Sequence, residues 1–320
     1  MSSLLDQSII KTLSYFDIFG YPLTKEELFE FLWQGPGTGE GIHISYEEFL
    51  KNLENIDKEK IKYQGGYYFL AGKEANVYKR NEGLLVSSEK LKIARRAAKK
   101  IRSVPFLKAV FVCNSVAFGQ AGEGSDIDFF IITEKNRIWL VRLFAAFLLS
   151  LFRLRRVGDK AKNKVCLSFF AADDNLDLSP LKIVDEDIYL VYWIHKLIPI
   201  YDPENYYQKF LDANRWTEKF LPNTFRVKPA SYLFAVRDSA FGRIWKKMWQ
   251  AMWQGDYGKL IETQAKKIQL AKMKFSGKDI ERKGDKGVVI SDSMLKFHEQ
   301  DARERFRGEW LKKIYASQNQ

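Results

Sequence analysis

Residues 108–133 read KAVFVCNSVAFGQAGEGSDIDFFIIT, and the alternation inside this stretch decides the fold. Residues 109–113 form an apolar run, and so do residues 129–132, which predicts two buried strands joined by a glycine-containing connection that opens on Asn114-Ser115. Asp126 and Asp128 begin the second strand. Side chains alternate along a strand, so both carboxylates project from one side, about 7 Å apart. Two carboxylates so placed repel each other unless a positive group sits between them. A divalent cation meets that need, and Mg²⁺ (or Mn²⁺) typically takes one or two carboxylates and completes its shell with water and phosphate oxygens. The Asn114-Ser115 turn offers backbone N–H groups and a hydroxyl where a phosphate could be cradled. An Asp-x-Asp can also serve as an edge-strand solubility device or as two turn caps. Four apolar residues follow this pair, however, and predict a central strand.

The same residues resemble the DNA polymerase beta-like nucleotidyltransferase superfamily, in which a strand ends in Gly-Ser or Gly-Gly and an Asp-x-Asp pair lies in the next strand. Ser115 stands at the Ser position, ten residues separate it from Asp126, and Ser125-Asp126-Ile127-Asp128 matches the second half. The resemblance spans residues 101–174. Asn114 departs from the usual Gly, and Phe118 stands where many small members carry Arg. The family also carries a third carboxylate, a base toward the attacking hydroxyl, on the next strand. Residues 164–171 (KVCLSFFA) predict that strand but contain no acid, and Asp173 and Asp174 follow it. Either one of them, with Asp174 the candidate, has taken the role, or the base is missing.

Composition agrees with a folded, multi-part chain. Its 320 residues are 46% hydrophobic and 15% aromatic, enough for substantial cores. The two cysteines, Cys113 and Cys166, fall in apolar strand segments and read as free thiols of a reducing compartment. With no signal-peptide pattern at the N-terminus, the expected location is cytoplasmic. The three histidines have no Cys partners at zinc-ligand spacing. Residues 138–152 (IWLVRLFAAFLLSLF) are apolar but short and contain Arg142, so a helix packed on the sheet is expected rather than a membrane span. Of the net charge of +12, residues 221–320 carry +10. That asymmetry points to an anionic partner or to a solvated basic face.

Working outward, residues 1–72 predict a winged-helix-like module. Helices start at the capping boxes Thr24-Lys25-Glu26-Glu27 and Ser45-Tyr46-Glu47-Glu48, and a hairpin turns at Gln64-Gly65-Gly66. Its third helix carries Glu47, Glu48, Glu54 and Asp57, which argues against sequence-specific duplex DNA and for a protein contact. Residues 75–103 predict a helix, interrupted near Gly83, with Leu91, Ala94, Ala98 and Ile101 inward and Lys90 among the residues of a basic face. Residues 75–180 then form the core and 181–275 a helical domain. Within that domain, helices are expected from residue 185 to Pro199, over 203–220 and over 239–275, the last with a Trp245, Trp249, Trp253 stripe read first as core. Residues 276–320 are read as a linker (276–286) and a tail helix (291–315).

The fold class expected is α/β (α+β): a mixed-sheet nucleotidyltransferase core with a winged-helix-like module and a helical C-terminal region. The resemblance implies Mg²⁺-dependent transfer of a nucleoside monophosphate from an NTP to a hydroxyl. Asp126 and Asp128 would hold metal, Asn114 and Ser115 would bind phosphates, and Ser125 would shape the turn. The alternative is a catalytically degenerate module that binds nucleotide or nucleic acid, favoured by the absent acid and by Phe118. RNA, a small molecule, a sugar and a protein side chain are all served by such cores, so the acceptor stays open.

Overall fold

The computed structural model describes residues 4–35, 44–158, 160–225, 234–275, 287–297 and 301–318. Three helices open the chain: α1 (Leu4–Ile18), α2 (Lys25–Glu30) and α3 (Tyr46–Glu54). Both capping boxes form. The Thr24 hydroxyl accepts from the Glu27 backbone N–H and the Glu27 carboxylate accepts from that of Thr24, and Ser45 and Glu48 do the same. The hairpin β1 (Ile61–Gln64) and β2 (Tyr67–Leu70) follows, with Gly65 and Gly66 at φ 60° and 88°. A two-residue turn that matches strand twist needs positive φ at both positions, which glycine supplies without strain. Leu23 pairs with Tyr68 and ties the helices to this hairpin.

Helix α4 (Ala75–Ile101) runs without the expected break. Gly83 has a packing role instead: a Cβ there would lie 2.9 Å from the Gly119 carbonyl oxygen and 3.2 Å from Gln120 Cα. The next elements are β3 (Leu107–Cys113), α5 (Asn114–Ala117), β4 (Ile127–Thr133), α6 (Ile138–Leu151) and β5 (Val165–Ala172). After them come α7 (Ile188–His195), β6 (Ile198–Tyr201), α8 (Tyr206–Ala213), α9 (Ala240–Met252), α10 (Gly255–Phe275), β7 (Val288–Ile290), β8 (Met294–Phe297) and α11 (Arg303–Gln318).

Six strands form one mixed sheet in the order β6-β3-β4-β5-β8-β7. Only β4 and β5 run parallel, and α6 makes the crossover that a parallel pair requires. Alternation sorts the two faces. Val110, Val112, Phe129 and Ile131 pack with α4 and α6 residues, whereas Phe111, Phe130 and Ile132 pack with α7 and α8 residues. A third cluster joins α1 to Tyr192 and Trp310: the Tyr15 ring stacks on Tyr192 at 4.4 Å, and Trp310 Nε1 donates to the Lys11 carbonyl at 2.9 Å. No helix among the described residues is long and apolar enough to cross a membrane.

Several expectations need correction. Helix α7 stops at His195, and residues 198–201 are a strand on the sheet edge, where Pro199 costs no ladder bond. Helix α8 ends at Ala213 and a 3₁₀ turn follows. The long helix expected over 239–275 is two, divided at Gly255 with φ +66°. The tryptophan stripe is core only at its end: α9 buries no residue and Trp245 is 42% exposed, whereas Trp253 packs against the main core and stacks on Phe144 at 5.4 Å. Residues 288–297 form a β-hairpin added to β5, so the tail helix begins only at Arg303. The expected linker at 276–286 lies outside the described residues. His195 is a core histidine, bonded to Thr217 Oγ1 at 2.9 Å, and burial pushes its pKa down to about 3.

Candidate metal centre

Antiparallel β3 and β4 bring Asn114 and Ser115, just past Cys113, to the end of the sheet where Asp126 and Asp128 lie; Cys113 is paired with Asp128. Asn114 sits at φ +56°. That left-handed conformation is one that glycine adopts freely and asparagine tolerates best among the others. Asn114 therefore keeps the sharp turn while adding a side chain, whose Oδ1 accepts from Trp193 Nε1 at 2.9 Å. Ser115 follows in α5, half-buried.

Strand β5 lies beside Asp128 with an irregularity in its register. Asp128 pairs with Cys166, but Phe130 pairs with Phe169, so β5 carries one extra residue over that interval. Such a bulge re-aims side chains. Here it leaves two β5 residues at Asp128: Cys166 directly opposite, and Ser168, whose Oγ donates to Asp128 Oδ1 at 3.3 Å. Single ligand atoms of Asp126, Asp128 and Cys166 lie within 4.8 Å of one another, so these three could hold one metal ion. The donor set is two hard carboxylate oxygens and one sulfur. It suits a divalent ion, and without an ion it concentrates like charge in a half-buried place.

The electrostatics follow. Burial, and then the Asp126 carboxylate, raise the pKa of Asp128 to about 6, while hydrogen bonds from Asn114 and Ser168 and the Arg156 charge oppose the rise. Cys166 is pushed up to about 12 by burial and by both carboxylates. Asp126 is held by Arg156, whose Nη1 lies 2.5 Å from Asp126 Oδ2. An arginine thirty residues away thus supplies a positive charge to Asp126, while Asp128 stays raised.

The loop before Asp126 is fixed from behind. Lys90, only 1% exposed, donates to the carbonyls of Glu123 and Ser125 at 3.1 and 2.8 Å and to Asn163 Oδ1 at 3.0 Å. Ser125 closes the turn through its hydroxyl, which donates to the Gly122 carbonyl at 2.8 Å. Lys90 was expected on the basic surface of the helix; its burial corrects that reading. A lysine inside an apolar helix stripe has no local signature that separates it from its exposed neighbours.

The structure does not bring Asp173 or Asp174 to this cluster. Both follow Ala172, which pairs with Thr133 at the far end of β4 and β5. At about 3.3 Å per residue, the end of β5 at Ala172 is roughly 20 Å from Cys166, and Asp174 lies in the turn beyond it. Asp173 accepts from the Lys135 N–H and the Tyr206 hydroxyl, and Asp174 pairs with Lys135 Nζ at 2.8 Å on the surface. Phe118 is 7% exposed within the N-terminal cluster and does not face the carboxylates. Sequence reasoning missed Arg156 and Ser168. The Arg153-Leu154-Arg155-Arg156 run directly follows the apolar segment 138–152, and nothing in its composition ties it to Asp126. No protein-family model, no curated protein and no solved structure matches the chain.

Proposed function

We propose that the chain is a divalent-metal-dependent nucleotidyltransferase that moves a nucleoside monophosphate from an NTP to a hydroxyl and releases pyrophosphate. The mixed sheet is its nucleotidyltransferase core, and residues 1–72 are a winged-helix-like module. One observation carries the reading: Asp128 on the central strand β4 and Asp126, just before that strand begins at Ile127, bring carboxylate oxygens within 4.8 Å of one another, beside a left-handed turn at Asn114-Ser115. Asp126 and Asp128 would hold Mg²⁺ or Mn²⁺ through their carboxylate oxygens, with the neutral Cys166 thiol beside them. When bound, the ion neutralises negative charge on the phosphates and on the departing pyrophosphate.

The chain's own residues do the rest. Backbone N–H groups of the turn and the Ser115 hydroxyl bind the β- and γ-phosphates, as oriented donors do in other phosphate cradles. Lys90 keeps the Glu123–Ser125 loop in place and so fixes Asp126. In the reaction the acceptor oxygen bonds to the α-phosphorus. The bond to the bridging oxygen breaks, and pyrophosphate leaves with the electron pair. The hydroxyl proton passes to solvent, because no third carboxylate among the described residues joins the pair. A slow enzyme is the consequence, since a positioned base contributes typically 10²–10⁴-fold.

The second reading, a degenerate binding module, is favoured by the same Cys166 and Ser168 standing at the third-acid strand and by the Arg156 ion pair on Asp126. The exposed carboxylates of α3, Glu47, Glu48 and Glu54, turn the N-terminal module toward a protein partner rather than duplex DNA. Transfer of label from each α-³²P-NTP with Mg²⁺ or Mn²⁺ into the protein, RNA and small-molecule fractions of a cell extract separates the two. Incorporation by wild type and not by Asp128→Asn supports the enzyme. Silence of both with every nucleotide supports the binding module.

A further inference from the structure

A cavity of about 880 Å³ opens beside the carboxylates, between α6 and α10 on one side and α7 and α11 on the other. Cys166 and Ser168 form part of its wall, so one end reaches the side chains that touch Asp128. Arg142, Arg155 and Arg156 line it as well. Arg156 is spoken for by Asp126. The other two are not balanced in the same way: among the described residues neither forms an ion pair with a carboxylate. Arg142 donates to Gln269 Oε1 at 2.6 Å and stacks over the Phe297 ring at 4.8 Å, and its Nε is buried without a hydrogen-bond partner. Arg155 contributes only its backbone N–H, which donates to the Leu149 carbonyl. The one acid in the wall, Asp301, is engaged by Arg303 through four hydrogen bonds, three from the guanidinium and one from the backbone N–H.

Two half-buried guanidinium groups without a counter-charge are costly, and burial with mutual repulsion pushes the Arg142 pKa down to about 10. The guanidinium fork matches phosphate and carboxylate oxygens two at a time. The volume falls in the range of small-molecule sites, about 300–1,000 Å³. Aromatic side chains, Tyr189, Trp193 and Phe306, line the opposite wall and would cover an organic body.

We infer that this cavity is the acceptor site and that the acceptor is a small molecule carrying a phosphate or carboxylate group. Arg142 and Arg155 hold the anionic group and leave the hydroxyl facing Asp126 and Asp128. The inference rests on the nucleotidyltransferase reading for the word acceptor; the anion site itself does not.

The test is calorimetric titration of the full chain, in EDTA and without nucleotide, with glycerol 3-phosphate, inorganic phosphate, acetate and glycerol. Wild type is expected to bind the anions and not glycerol. Glycerol 3-phosphate tighter than acetate names phosphate as the group, and the reverse order names carboxylate. Arg142→Gln and Arg155→Gln are each expected to weaken anion binding at least tenfold, while Asp128→Asn binds as well as wild type. Circular dichroism melts show whether each variant is folded, and one folded arginine variant suffices. A second titration with Mn²⁺ and a non-hydrolysable NTP analogue should give the same affinity in wild type and in both arginine variants. Equal anion binding by all chains, or none by wild type, overturns the site. Loss of NTP-analogue binding in Arg142→Gln also overturns it, because the arginines then serve the triphosphate. Failure of the transferase reading shows separately, as absent label transfer with anion binding intact.

Discussion

Replacing Asp128 with asparagine should stabilise the protein above neutral pH when no metal is present. The carboxylate is half-buried, faces Asp126 and has its pKa raised to about 6 from the usual 3.8. Between those values the folded chain binds a proton that the unfolded chain has already lost. Stability from this group is therefore full below about pH 4 and is lost as pH rises through 6. At about 1.4 kcal/mol per tenfold change the penalty above pH 7 is on the order of 3 kcal/mol, and about 2 kcal/mol once water reaching the site is allowed for. Asparagine has the same shape, can still accept from Ser168, and carries no charge to be repelled by Asp126. Urea unfolding in EDTA at pH 8 should show Asp128→Asn more stable than wild type by about 2 kcal/mol, with the gap narrowing to about a third at pH 4.5 and closing below about pH 4. Added Mn²⁺ should reverse the order at pH 8 by stabilising wild type alone. An asparagine variant that is less stable at pH 8, or equally displaced at both pH values, would refute this account of the charge.

Other substitutions probe the supports around the pair. Lys90→Met should cost about 1–3 kcal/mol in urea unfolding, because the Glu123 and Ser125 carbonyls and the Asn163 amide each lose a donor in a buried place. The same variant should weaken Mn²⁺ binding, since the loop before Asp126 loses its anchor. Gly83→Ala gains up to about 1 kcal/mol of helix propensity. It nevertheless sets a Cβ 2.9 Å from the Gly119 carbonyl, and the net result should be a lower melting temperature. Asp174→Asn should change melting by no more than about 0.5 kcal/mol and leave metal binding untouched, because its partner Lys135 is an exposed surface cation.

What the sequence disclosed followed from short-range rules. The Asp-x-Asp spacing brought Asp126 and Asp128 together although β4 begins only at Ile127, the two capping boxes marked the starts of α2 and α3, and Gly65-Gly66 marked the hairpin. The errors arose where tertiary context overrides local pattern. Pro199 was read as a helix stop, although an edge strand accommodates it beside β3. Residues 288–297 carry mixed polarity, and their hairpin exists because β5 offers an edge to pair with. The bulge that brings both Cys166 and Ser168 to Asp128 has no composition of its own, and Arg156 meets Asp126 only through the α6 crossover. Asp173 and Asp174 were attractive because they follow the third strand directly in sequence, yet a strand of eight residues carries them to the opposite end of the sheet.

Binding of Mn²⁺, followed by loss of the free-ion electron paramagnetic resonance signal, reads most directly whether Asp126 and Asp128 together hold an ion. Wild type and Asp174→Asn should bind it alike, and Asp126→Asn and Asp128→Asn should each weaken it at least tenfold. Equal binding by all four chains, or none by wild type in the presence of an NTP analogue, would contradict the metal centre.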